Sequence, residues 1–138
     1  MIRSAAAVAL PLLPAKSVGP SILILEDEPV LRRQIERAFS GRGYDVVATT
    51  CVAGFLAATT ARAYDACLMD LWLPDGNGLD AWERARPSQH GAVAVVMSAQ
   101  PTDEAEARAR QLGCAAFLPK PFDLSALLAL YSPNFSMR

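Results

Sequence analysis

Ala66-Cys67-Leu68-Met69-Asp70-Leu71-Trp72-Leu73-Pro74-Asp75-Gly76 runs from an apolar segment straight into an acid and then into a Pro/Gly loop. An acid at the carboxyl end of a buried strand is poorly placed for packing and well placed for chemistry. Open α/β sheets bind their ligands outside the carboxyl ends of the strands. Upstream, Ser21-Ile22-Leu23-Ile24-Leu25 forms a second apolar strand that ends on Glu26-Asp27-Glu28. Two acid-tipped strands side by side would make a pocket for a divalent cation.

Outward from these two segments, strand-like and helix-like stretches alternate. Strands are predicted at about 21–26, 44–48, 65–70, 92–97 and 115–118, and helices at about 28–40, 51–62, 77–86, 102–112 and 123–131. The first helix carries Pro29 in its opening turn, where a missing N–H costs little. Its apolar stripe is Leu31, Ile35, Ala38 and Phe39, and Gly41 and Gly43 stop it. Thr102 is the expected cap of the fourth helix, with Asp103 and Glu104 favoured by the helix dipole in its first turn. Asp123 is the expected cap of the last helix, whose Leu124, Leu127, Leu128 and Tyr131 share a face. Strict alternation of strand and helix implies parallel strands covered on both faces. The fold class is α/β, a flavodoxin-like (βα)5 doubly wound parallel sheet of order 2-1-3-4-5. In that order the first and third strands are neighbours.

The chain has 138 residues, a length expected of one domain. A composition 52% hydrophobic and 20% charged reads as globular, and a net charge of −1 gives no electrostatic reason to expect nucleic-acid binding. Cys51, Cys67 and Cys114 show neither metal spacing nor a disulfide framework, which fits the reducing cytoplasm. Residues 1–20 are read as a disordered extension. One Arg precedes an apolar stretch there, but Pro11 and Pro14 interrupt it and it is too short to span a bilayer. Residues 21–131 form the domain and 132–138 a tail. The arginines of the first helix, Arg32, Arg33, Arg37 and Arg42, read as its solvated face, and His90 is given no role.

Placed within a few ångströms of each other, Glu26, Asp27 and Asp70 repel strongly. Two like charges about 4 Å apart cost roughly 4 kcal/mol at an effective dielectric near 20. Mg2+ suits a site of one or two carboxylates, a backbone carbonyl and retained water. Lys120, in Phe117-Leu118-Pro119-Lys120-Pro121, supplies a second positive charge after the fifth strand, and Ser98 a hydroxyl after the fourth. A carboxylate beside Mg2+, an ammonium and a hydroxyl can accept a phosphoryl group. Asp70, alone at its strand tip, is the nucleophile. Asp27 is a direct Mg2+ ligand, Glu26 acts directly or through water, and the carbonyl of Trp72 completes the shell. Ser98 and Lys120 take phosphoryl oxygens.

The motifs Ile24-Leu25-Glu26-Asp27-Glu28-Pro29, Leu68-Met69-Asp70 through Gly78, Val95-Val96-Met97-Ser98-Ala99 and Ala116 through Phe122 together resemble the receiver domain of two-component response regulators. The resemblance covers about residues 21–131. It implies that Asp70 takes phosphate from a phosphohistidine on a partner histidine kinase or phosphotransferase. It also implies Mg2+ dependence and a switch through Ser98 and Phe117. Three positions depart from the commonest pattern: Glu26 for aspartate, Ser98 for threonine, and Phe117 for tyrosine, which keeps the ring and loses the phenol. The implied role is a phosphoacceptor and not an enzyme. Its output is a protein contact or a homodimer through the face of the fourth helix, fifth strand and fifth helix, without a DNA-binding domain or a membrane. A hydrolase built on Asp70 would want a second acid two residues on, where Trp72 stands. A phosphate-independent interaction module is opposed by the complete acid, hydroxyl and lysine set. A flavin protein would want Gly, Ser and Thr donors where the loop is acidic.

Overall fold

The computed structural model describes residues 19–131. The expectations for residues 1–18 and for the 132–138 tail lie outside the described residues. In chain order the elements are β1 (Ser21–Leu25), α1 (Pro29–Gly41), β2 (Asp45–Thr49), α2 (Val52–Ala61), β3 (Ala66–Asp70), α3 (Gly78–Ala85), β4 (Val93–Ser98), α4 (Asp103–Gln111), β5 (Ala116–Pro119) and α5 (Leu124–Ala129). A two-residue antiparallel ribbon, Trp72–Leu73 with Gly76–Asn77, sits between β3 and α3. The strands make one parallel sheet in the order β2-β1-β3-β4-β5, which is the expected 2-1-3-4-5. Among the described residues no helix is long and apolar enough to cross a membrane.

The sheet's pleat divides the core in two. Ile22, Ile24, Ala66, Leu68, Val95 and Met97 face α1 and α5, where Ile35, Phe39 and Leu127 cover them. Leu23, Leu25, Cys67, Met69, Ala94 and Val96 face the other way, onto Phe55, Leu79, Trp82 and Ala109 of α2, α3 and α4. Both faces of the central strands are buried, so they read as continuous apolar runs. β2 and β5, at the sheet edges, are only partly buried.

Local signals hold in most places. Thr102 Oγ1 accepts from the Ala105 N–H at 3.1 Å, and Gly113 follows α4 with φ of 79°. The last helix differs from expectation. It ends at Ala129, and the Asp123 side chain makes no cap bond; its carbonyl accepts from Ala126 and Leu127 instead. Leu127 is buried and Leu124 and Leu128 pack on the α1 side of the sheet. The leucine stripe packs largely into the core. Tyr131, expected on that stripe, lies past the helix end and donates its hydroxyl to the Cys67 carbonyl at 2.9 Å.

Candidate functional site

The pleat that sorts the core also builds the site. Glu26, Asp70 and Lys120 continue the alternation of Ile22–Ile24, Ala66–Leu68 and Ala116–Leu118, so all three share one parity. Backbone pairing runs just beyond the strands to hold them there: Glu26 N–H to the Thr49 carbonyl at 3.0 Å, Leu71 N–H to the Met97 carbonyl at 2.8 Å, and Lys120 N–H to the Ser98 carbonyl at 2.8 Å. Ser98 and Phe117 have the opposite parity, that of Val96, and Phe117 packs on the α4 side.

The result is a contact triad. Lys120 Nζ donates to Glu26 Oε1 at 2.8 Å and lies 3.3 Å from Asp70 Oδ2. Glu26 is 0% exposed and Asp70 7%. The second oxygen of Glu26 accepts the Glu28 N–H at 2.9 Å, so this buried carboxylate is satisfied on both sides. Asp27 is exposed beside them, and one ligand atom from each of Glu26, Asp27 and Asp70 lies within 4.8 Å of the others.

Three carboxylates against one ammonium leave two negative charges uncompensated. The titration tendencies agree. Burial raises the Asp70 pKa, the Glu26 charge raises it further, and Lys120 only partly opposes them. Burial alone would lower Lys120, but its hydrogen bond to Glu26 and the surrounding negative charge carry it above its ordinary value. A doubly charged cation would balance the cluster. The donor set, all hard oxygen with Asp27 open to water, fits Mg2+ or Ca2+. The site passes this test on its own chemistry.

Ser98, Phe117 and Trp72 are the remaining expected residues. Ser98 is buried at the end of β4, and its Oγ accepts the Gln100 N–H at 3.0 Å, tying the hydroxyl to the loop before α4. Phe117 is half-buried and borders a groove of about 190 Å³ between α4 and β5 with Ala109, Arg110 and Cys114. The Trp72 ring is 56% exposed, and its main chain pairs with Asn77 in the ribbon.

Two supports were not expected. Arg32, read as part of a solvated face, turns its guanidinium back to the Glu26 and Asp27 carbonyls at 3.2 and 3.4 Å and braces the acidic loop. Its spacing from that loop, about one helical turn and a half, was the available signal. Gly78 packs flat on the phosphoacceptor candidate's backbone. A Cβ there would overlap the Asp70 carbonyl oxygen, while the Gly78 N–H donates to the Leu71 carbonyl at 2.7 Å. Gly78→Ala is therefore expected to cost about 1–3 kcal/mol by overpacking, read as a lowered midpoint in urea, and to weaken cation binding at Asp70. An unchanged midpoint would show that the backbone relaxes freely.

A family model described as response regulator receiver domain matches residues 22–132. The chain is 33% identical over 112 residues to the DNA-binding transcriptional regulator NtrC of Rhizobium meliloti (strain 1021), covering 81% of this chain and 23% of that protein. It is 32% identical over 117 residues to the acid tolerance regulatory protein ActR of the same strain, covering 83% of this chain and 60% of that one. Thus it spans less than two thirds of the length of either relative, and under a quarter of the first. Among solved structures, the non-phosphorylated HemR receiver domain from Leptospira biflexa is 31% identical, with a TM-score of 0.72, covering 80% of this chain and 89% of that one. A response regulator from Burkholderia pseudomallei, solved with a phosphorylated aspartic acid, calcium ion and citrate, shares the fold with a TM-score of 0.77 at 22% identity, covering 84% of this chain and 68% of that one. With the matched model spanning most of its length, this chain belongs to the family of response regulator receiver domains.

Proposed function

We propose that the domain takes a phosphoryl group onto Asp70 from a phosphohistidine of a partner histidine kinase or phosphotransferase, and that the acyl phosphate switches a protein-contact face. The observation that carries this reading is the Lys120 ammonium bridging buried Glu26 and Asp70, with Asp27 alongside. An Asp70 carboxylate oxygen attacks phosphorus, the O–P bond forms, the donor's N–P bond breaks, and the freed imidazole nitrogen keeps the electron pair. Asp27, Asp70 and the Trp72 carbonyl would hold Mg2+, with Glu26 behind them directly or through water; bound there, it neutralises charge on the transferring oxygens. Lys120, already 3.3 Å from Asp70, pairs with one of those oxygens.

In this reading Ser98 completes the set by a shift of its hydroxyl toward the phosphoryl group. Its Oγ is held by the Gln100 N–H, so a shift toward the phosphoryl group pulls on the loop before α4. Phe117, beside the α4–β5 groove, is the second element of this switch. The output face is the outer surface of α4, β5 and α5, engaging a downstream protein or a second copy. The role is that of a phosphoacceptor, not an enzyme turning over a separate substrate, and the three free cysteines suit the cytoplasm.

The test is incubation with acetyl phosphate and Mg2+ followed by intact mass. One added phosphoryl group is expected, and none when the cation is chelated; no addition with Mg2+ present would refute the reading. Trp72 follows Asp70 by two residues with its side chain exposed, and in this reading the indole shields the acyl phosphate from attacking water. Trp72→Ala is expected to shorten the phosphoryl lifetime severalfold, followed by mass against time. Equal decay would remove the indole from the mechanism.

A further inference from the structure

Asp75 lies at the tip of the loop between β3 and α3, yet its carboxylate reaches a different element. Oδ1 accepts the Val52 N–H at 2.8 Å and Oδ2 the Ala53 N–H at 3.1 Å, both in the first turn of α2. These two charge-assisted bonds at a helix N-terminus hold the carboxylate below its ordinary pKa. The neighbouring Gly76 rests against Val52: a Cβ at Gly76 would come within 3.3 Å of Val52 Cγ2. Helix α2 has its own cap as well, since Cys51 Sγ accepts the Gly54 N–H at 3.4 Å.

The loop's other ties are at its ends. Leu71 is bonded to Met97 of β4, and Asn77 Oδ1 caps α3 through the Leu79 and Asp80 N–H groups at 2.7 and 3.2 Å. Between them the Gly78 N–H closes the loop onto the Leu71 carbonyl at 2.7 Å, and the main chain of Trp72 pairs with Asn77 in the two-residue ribbon. Asp75 fastens the tip of that ribbon across to α2.

We infer that Asp75 is a positioning residue for the cation site: by clamping the loop tip to α2 it fixes the Trp72 carbonyl beside Asp70. This rests on the cation site of the proposed function. A group that orients a ligand without touching the ion typically shifts metal affinity by about 10–100-fold when removed. The plain alternative is that Asp75 only caps α2, which would change stability and leave the cation site alone.

The two are separated by titrating the full chain with Mg2+ by calorimetry, alongside thermal unfolding, for the parent, Asp75→Ala and Ala57→Gly. Ala57 is exposed in the middle of α2, and glycine there weakens the same helix by an amount comparable to a lost cap without touching the loop. The expected result is an Mg2+ Kd about tenfold higher for Asp75→Ala and a parental Kd for Ala57→Gly. A Kd for Asp75→Ala within about twofold of the parent, or the same rise in Ala57→Gly, would overturn the inference while leaving the site standing. A parent that binds no Mg2+ would remove the cation site itself, and the inference with it.

Discussion

Asp70→Asn is expected to abolish phosphoryl uptake and, at the same time, to raise the thermal midpoint of the metal-free protein. The amide is nearly isosteric with the carboxylate, so the contact with Lys120 survives through an amide oxygen while the nucleophilic oxygen is gone. The stability gain follows from the electrostatics of the triad. Burial first, then the charge of Glu26, holds the Asp70 pKa above its unfolded value. An acid whose pKa is raised by folding lowers stability as pH climbs from the unfolded pKa through the folded one. At pH 7 the ionised Asp70 therefore opposes folding, and a neutral amide removes that opposition. Below about pH 3.5 the carboxyl is largely protonated in both states and the advantage fades. Intact mass with acetyl phosphate and Mg2+ reads the first effect, and unfolding scans at the two pH values read the second. Phosphoryl mass on the variant would move the acceptor to another residue. A midpoint below the parent at pH 7 would mean that the Lys120 pair outweighs the repulsion.

Lys120→Ala is the opposite case and has the largest expected effect on stability. Among the described residues Lys120 is the one cation paired with the carboxylates of Glu26, which is fully buried, and Asp70. Removing one partner of a buried pair leaves an uncompensated charge and typically costs about 3–5 kcal/mol. The loss is expected in full without divalent cation, because both carboxylates then lack a counter-charge, and Mg2+ is expected to restore part of it. Adding Asp70→Asn to Lys120→Ala removes one of the two repelling acids, so the double variant is expected to be more stable than Lys120→Ala alone. Urea denaturation with and without Mg2+ measures all of this. A Lys120→Ala protein as stable as the parent in chelator would show that water reaches Glu26 and screens it, contrary to the burial seen here.

Where sequence reading succeeded and where it failed have physical reasons. Ile22–Leu25, Cys67–Met69 and Val93–Met97 are legible because a strand buried on both faces must be apolar at every position. Asp70 stands out because it ends such a run, and Lys120 because prolines flank it. The period of two then brings Glu26, Asp70 and Lys120 to one side, and the direct contacts among them follow. Asp75 and Arg32 were harder to read for a different reason. Asp75 acts across 23 residues on the backbone of α2, which no local pattern announces. Arg32 looks like any helix-surface arginine until the turn of the chain brings it over the acidic loop. The leucines of α5 are legible only as one face of a helix, because an apolar stripe on a terminal helix looks the same whether it covers its own sheet or a partner. Ser98 was read by its hydroxyl alone, whereas its bond to Gln100 depends on how the chain leaves β4.

The convergence of three carboxylates on a shared divalent cation, with the Lys120 ammonium beside them, is tested most directly by diffraction from crystals grown with Mn2+, whose anomalous signal locates the ion independently of any assumed ligand. The expected peak lies at the carboxyl edge of β1 and β3, bound by Asp27 and Asp70, with Lys120 still reaching Asp70. A peak elsewhere, or an ion on Asp27 with Asp70 turned away from it, would contradict that arrangement.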